Sequence, residues 1–434
     1  MRGYLASSIG ITCAAALALP LVPPAAAAPP AAGPPAAGPP AAAPPAAAPP
    51  AAGPPTAAVR GPVAAGPYTP GGTQSLPLRP LARDRVATPG PSGPAEQGVT
   101  RRSVQRFSLV GVVWDDPDTE LHGRVQVRTR TTGTGTWSPW QDLEAHYAEH
   151  GADPDTAERA PGRVRGATAP LWVGDSDGVE ARVRAAAGGT GPRSAPLPEG
   201  LRLELVDPGT AAPRTEEYAE SPAAGAADRR AGRYVGPRPA IVTRGNWGAD
   251  ESLRERGFRY TKKVKAAFVH HSATGNNYRC AQAPSVIRGI YRYHVRSLGW
   301  RDIGYNFLID KCGRIYEGRA GGVQRAVLGA HTLGFNSNSM GIAVLGTYTS
   351  KKPSSAAVKA IARLTAWKLG LYGVNPRGKT YLTSGGGNLY RKGKNVRLNV
   401  ISGHRDGFAT ECPGKKLYAK LGTARKTAAR YQGR

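Results

Sequence analysis

The sequence predicts an α/β domain at its C-terminal end, a smaller all-β domain before it, and Pro/Ala-rich linkers beside the two. Three observations carry this. Residues 101–207 hold short apolar runs that alternate at period two. Residues 240–434 interleave strand-like runs with segments of helical spacing. Elsewhere proline, alanine and glycine displace core-forming residues. With 56 Gly and 40 Pro in 434 residues, length alone overstates the number of domains.

The N-terminus sets the compartment. Arg2 and the apolar stretch Leu5–Val22 precede small residues at Ala25–Ala28, the pattern of a secretory signal over residues 1–28. Pro20, Pro23 and Pro24 break this stretch, which argues against a membrane anchor. Cys13 follows Thr12 with too little apolar sequence before it for a lipid attachment site. No later apolar run approaches the ~20 residues of a membrane span, so no stable membrane insertion is expected. Residues 29–100 form a spacer. Its repeat of AAGPP and AAAPP favours extended, core-free chain, because proline fixes φ and lacks an amide donor.

In residues 101–207, FSLVGVVW, GRVQVRTRTT, APLWVGD, GVEARVRA and GLRLELV read as strands separated by Gly, Pro and Asp. Val125 and Val127 alternate with polar residues, as do Leu201, Leu203 and Leu205. Trp137 and Trp140 are consistent with a carbohydrate platform, but packing into the β core is the favoured reading. His122, His146 and His150 have no metal-ligating company in the sequence. Residues 208–239 are again linker.

From residue 240, VKAAFVHH reads as a strand. Ile287, Ile290, Tyr291, His294 and Leu298 line one helical face. YNFLID and GRIYEG flank a turn as a hairpin, and MGIAVLG is a buried strand. Pro353 and Ser354 open a helix carrying Val358, Ile361, Leu364 and Trp367 on one side. NVISGH is a further strand.

Charge is concentrated here. Residues 240–434 carry 35 Lys and Arg against 8 Asp and Glu, while the first 239 residues are nearly balanced. Such a surface attracts polyanions. A secreted chain without an RNA- or DNA-binding fingerprint argues against nucleic acid and leaves anionic lipid and an anionic cell wall, with its polymers, as candidates.

The chemistry-bearing residues are His270, His271, His404, Cys412 and Tyr305. Imidazole and thiolate are preferred zinc ligands, and three protein ligands leave a position for catalysis. Alternation along a strand puts His270 and His271 on opposite faces, so at most one of them is a ligand. Tyr305 supplies a phenol for a water or an oxyanion.

TRGNWGAD, FVHHSA, YHVRSLGWRDIGYNFLID, GRIYEGR, GAHTLGFNSNSMGIAVLG and SGHRDGFATECPG together resemble the peptidoglycan recognition protein family and zinc-dependent phage amidases of the same fold. The match runs from about Ile241 to Leu421. The resemblance implies a mixed central sheet flanked by helices. It also implies a Zn2+-dependent N-acetylmuramoyl-L-alanine amidase that cleaves between N-acetylmuramic acid and L-alanine of peptidoglycan. The alternative is a non-catalytic peptidoglycan-binding module; members of that kind typically lack the zinc cysteine, which Cys412 supplies here. By motif position His270, His404 and Cys412 are the metal ligands, and Tyr305 and Thr410 are catalytic. His331 and Asn336 contact muramyl peptides, His271 faces the core, and His294 is helix packing. With Cys412 on zinc and Cys13 removed with the signal, Cys280 and Cys312 remain as a pair that an extracellular setting would oxidise. The location implied is extracellular, at the cell wall.

Overall fold

A computed structural model describes residues 70–81, 95–145, 147–186, 196–210 and 234–434. The expected signal peptide, the proline repeat and most of the expected 208–239 linker lie outside these residues.

The first sheet contains β1 (Thr73–Pro77), β2 (Arg79–Pro80), β3 (Glu96–Trp114), β4 (Gly123–Thr131), β5 (Gln141–Leu143), β6 (Gly166–Ala167), β7 (Leu171–Ala185) and β8 (Arg202–Val206). Its strands run β1-β8-β3-β7-β4-β5, with β2 and β6 pairing onto β3. All its pairings are antiparallel. The alternation expected of these strands holds. Val125, Val127, Val179, Ala181, Val183, Leu203 and Leu205 build one core, while Arg128, Glu180 and Arg182 point to the other face.

Two expectations change here. Residues 73–80 and 96–100 belong to this sheet rather than to the spacer, since β1 pairs with β8, β2 with β3, and the start of β3 with β7. Prolines 77 and 80 concealed the first of these segments, but proline is tolerated in β1 because it is the edge strand. Trp137 and Trp140 do not enter the core. They lie half-buried between guanidinium groups, with Arg101 4.9 Å from the Trp137 ring and Arg128 and Arg182 4.8 and 4.2 Å from Trp140. Cation–π contact, not apolar burial, fixes these rings.

The second sheet is built from β9 (Ile241–Val242), β10 (Ala266–His271), β11 (Phe307–Ile309), β12 (Ile315–Glu317), β13 (Ser339–Val344) and β16 (Ile401–Gly403), in the order β16-β10-β13-β11-β12-β9. It is mixed: β10 runs parallel to β13 and β16, and β11 antiparallel to β12. β14 (Lys379–Thr383) and β15 (Asn395–Asn399) form a separate hairpin. The long helices among the described residues are α1 (Ala283–Arg292), α2 (Ser355–Gly370) and α3 (Leu421–Tyr431). Ser354 caps α2 by accepting from the Ala357 amide. Ile361, Leu364 and Trp367 then bury against Val269, Ile309 and Ile342 with α3 beside them. α1 covers the opposite face, over Leu308, Ala343 and Tyr316. The helical pattern read through Leu298 continues past α1 as a wider π turn over Tyr293–Ser297.

A disulfide joins Cys280, just before α1, to Cys312 in the β11–β12 turn across 32 residues. Closing a loop of that length stabilises the fold by about 3.7 kcal/mol in the chain-entropy model. Reduction is therefore expected to lower the denaturant midpoint, and a midpoint unchanged by reductant would contradict this.

The first sheet packs directly on α1. Leu109, Val113 and Val206 share one buried cluster with Ile287, Ile290 and Tyr293. The Tyr293 hydroxyl donates to the Thr168 carbonyl at 3.0 Å. Gly111 makes room for that ring, because a Cβ there would lie 2.3 Å from the phenolic oxygen. Below this apolar contact Arg319 donates to both carboxylate oxygens of Glu158, at 2.9 and 2.7 Å.

Candidate metal centre

Strand pairing assembles the centre. Val269 of β10 lies opposite Gly403 of β16, so the next residue of each strand, His270 and His404, emerges beside the other. Their ring centroids are 4.6 Å apart. The turn after β16 returns the chain so that Cys412 Sγ stands 3.8 Å from His270 Nδ1. A fourth residue joins them from the other sheet's domain: His150 Nε2 is 3.7 Å from the same sulfur, and its ring is 4.5 Å from that of His404. One ligand atom from each of His150, His270, His404 and Cys412 lies within 4.8 Å of every other. All four side chains are buried.

These residues fit zinc. Tetrahedral bonds of about 2.0 Å to nitrogen and 2.3 Å to sulfur separate the donor atoms by about 3.6 Å, close to the two distances above. Among the described residues, both ring nitrogens of His404 and Nδ1 of His150 are buried without a hydrogen-bond partner of good geometry. Buried polar atoms in a native protein normally have a partner, and a cation would satisfy one of the two His404 nitrogens. Burial, followed by the neighbouring imidazoles, holds His150, His270 and His404 well below the ordinary histidine range, so the rings are neutral as ligands require. Burial, with Glu144 adding to it, pushes the Cys412 thiol well up, and metal uptake would displace that proton. The far nitrogen of His270, Nε2, lies 3.4 Å from Thr332 Oγ1, an outer contact that orients the ring.

The other sequence-selected residues gather around this cluster. Tyr305 is buried with its ring 5.5 Å from that of His270, and its hydroxyl is 3.1 Å from the Tyr147 hydroxyl. Burial raises its phenol well above the ordinary value, so it is a neutral donor. Thr410 Oγ1 accepts from the Cys412 amide at 3.2 Å and donates to Glu149 at 2.9 Å. His331 packs within 5.3 Å of the His270 ring and is fully buried. Asn336 Oδ1 accepts from the amides of His331 and Thr332, and its Nδ2 donates to Gly151 O and Asp153 Oδ1. His271 is buried on the other side of β10, where Nδ1 accepts from the Tyr348 amide and Nε2 lies 3.5 Å from Glu144. His294 does more than pack. Nε2 is 2.7 Å from the Tyr147 hydroxyl, and Nδ1 accepts from the Gly304 amide.

Sequence reasoning dismissed His150 and did not select Tyr147, Glu149 or Asp153. His122 is indeed remote, exposed beside Glu120, and His146 lies outside the described residues. His150 is 120 positions before His270 and on another sheet's loop, so no local spacing could have signalled it.

Two family models match the chain. Residues 56–217 match the Rv3811 N-terminal galactose-binding domain-like family, and residues 260–415 match N-acetylmuramoyl-L-alanine amidase. Peptidoglycan-recognition protein SC2 of Drosophila simulans is 31% identical over 185 residues, covering 42% of this chain and 85% of that protein. Peptidoglycan-recognition protein 1 of Holotrichia diomphalia is 32% identical over 184 residues, covering 42% of this chain and 79% of that one. A solved structure of peptidoglycan recognition protein LE with tracheal cytotoxin is 31% identical, covers 42% of this chain and 93% of that chain, and superposes with a TM-score of 0.33. Through its C-terminal domain, the chain belongs to the family of peptidoglycan recognition proteins and type 2 N-acetylmuramoyl-L-alanine amidases.

Proposed function

We propose that this protein is a secreted, zinc-dependent N-acetylmuramoyl-L-alanine amidase. The observation that carries the reading is the convergence of His270, His404 and Cys412, with Tyr305 and Thr410 beside them. Two neutral imidazoles and a cysteine that gives up its proton to the metal form a donor set suited to a hydrolytic zinc site, and a module that only binds wall fragments has no use for the buried thiol. When bound, zinc supplies Lewis-acid polarisation of the amide carbonyl and lowers the pKa of water toward neutrality.

The chain's own groups do the rest. His270, His404 and Cys412 would hold the ion. The neutral Tyr305 phenol donates to the oxygen that gains negative charge, and Thr410 adds a second donor once its hydroxyl proton leaves Glu149. One such preorganised donor contributes about 3 kcal/mol. Asn336 holds the 331–336 loop in shape, and with His331 forms the wall proposed to contact the muramyl peptide.

The test is product identity. Zinc-loaded chain is incubated with muropeptides, both unaltered and with the loop over the site loosened by Asp153→Ala. Mass spectrometry is expected to find peptides beginning with a free L-alanine amine and sugars ending in a lactyl carboxylate. Cleavage at a glycosidic bond, or no cleavage by the loosened chain carrying zinc, would overturn the reading.

The cationic domain makes a second, electrostatic expectation. Binding to walls bearing anionic polymers should fall roughly tenfold or more between low and 0.5 M salt, because exposed charges are screened beyond a few ångströms there. Salt-independent retention would assign wall binding to other contacts.

A further inference from the structure

The loop between β5 and β6 lies across the centre just described, and its contacts follow an order. Tyr147 meets the Tyr305 hydroxyl at 3.1 Å. Glu149 accepts from Thr410 Oγ1 at 2.9 Å, and its carbonyl accepts from the Leu333 amide. His150 sits against Cys412, His270 and His404. Gly151 O and Asp153 Oδ1 take both protons of the Asn336 amide at 3.0 and 2.6 Å, and Asp153 also accepts from the Gly334 amide. The hydroxyls of Tyr305 and Thr410, the Asn336 amide and the side chains of His270, His404 and Cys412 are thus already engaged by one continuous segment, Tyr147 to Asp153. His270, His404, Cys412, Tyr305, His331 and Asn336 are each at most 1% exposed. A glycan strand with a peptide branch does not reach a centre that is buried in this way.

We propose that the loop is a built-in inhibitor: it occupies the cleft as an acidic peptide would, and His150 takes the fourth metal position that water and substrate need. A four-protein-ligand zinc site is closed, whereas a catalytic one keeps a position free. The conformation described here is therefore the latent form. The segment Tyr147 to Asp153 holds on by hydrogen bonds, by the buried Tyr147 ring stacked on Trp300 at 6.1 Å and by the metal position itself. The sheet behind it is anchored separately, by the apolar contact of Leu109 and Val113 with α1. Opening therefore requires only residues 147–153 to leave, with Glu158 still on Arg319 and the two domains still docked. Glu149 and Asp153 bring carboxylates to the cleft, the same charge that an acidic stem peptide presents, so wall fragments compete for the same donors.

The inhibitor rests on the amidase reading for what the cleft accepts, but its ligand geometry is tested without it. The full chain is loaded with cobalt(II), and its visible spectrum is followed as azide is added. The unaltered chain is expected to show little change, while His150→Ala and Asp153→Ala each bind azide at least about tenfold more tightly. Asp153→Ala leaves all four ligands in place and loosens only the anchor. Zinc-loaded variants should also release muropeptide fragments at least about tenfold faster than the unaltered chain. An unaltered chain that binds azide as readily as the variants would overturn the proposal. So would measurable cleavage at equal rates by all three chains, or loss of cobalt by His150→Ala, which would make His150 a structural ligand. Azide binding gained by both variants with no cleavage by either would support the inhibitor and reject the amidase.

Discussion

Replacing Cys412 with serine is expected to empty the metal centre and abolish amide cleavage. A serine hydroxyl stays protonated where a thiolate binds zinc, and Cys412 is the sulfur to which both His150 and His270 are turned. Losing an outer-sphere partner of a metal ligand costs 10- to 100-fold in affinity, so losing a ligand itself should exceed about 100-fold. Cleavage should drop by about 10³ or more, since metal polarisation supplies several kcal/mol of transition-state stabilisation. The comparison is made in the Asp153→Ala background, where the loop does not mask the difference. Zinc content by mass spectrometry and muropeptide release are read together. The side chains are near in size and Thr410 keeps its bond to the residue-412 amide, so the melting temperature of the metal-free proteins should stay close. Undiminished release would remove Cys412 from the site.

The second large effect lies between the domains. Glu158→Ala strands the Arg319 guanidinium, which is 7% exposed and held by both Glu158 oxygens. Breaking one partner of a buried pair costs about 3–5 kcal/mol, because the other charge is left uncompensated. The sign with pH follows from the carboxyl. Burial pushes it up, but Arg319 more than offsets this through charge and hydrogen bonding, and Arg301 assists, leaving it below its ordinary value. Its stabilisation is thus fully present above the ordinary carboxylate range and disappears as pH falls through the lowered folded-state value. The stability gap between the unaltered chain and Glu158→Ala should be wide at neutral pH and shrink in acid. A gap that is constant with pH would show that packing, not the ion pair, sets it.

Much of this was legible in the sequence, because the patterns involved are local. β10, the β11–β12 hairpin, β13 and α2 fall where period-two and helical spacing place them, and Ser354 caps α2 as its position predicts. His270, His404, Cys412 and Tyr305 were selected by motif resemblance, and the structure brings them together. What stayed hidden depends on contacts between distant segments. Residues 73–80 look like linker because of Pro77 and Pro80, and only their pairing with β8 and β3 reveals them as sheet. Trp137 and Trp140 look like core until the arginines on neighbouring strands are seen against them. His150 carries no signal in its own neighbourhood. Its role comes from the docking of one domain on the α1 face of the other, which lays the β5–β6 loop over the end of β10.

The central claim, hydrolysis by a zinc ion held on His270, His404 and Cys412, is tested most directly by removing and restoring the metal. The Asp153→Ala chain is stripped with chelator, metal loss is verified, and release of peptides with a free L-alanine terminus is followed before and after one equivalent of zinc. Release should vanish on stripping and return with zinc. Full release from verified metal-free protein would contradict the claim.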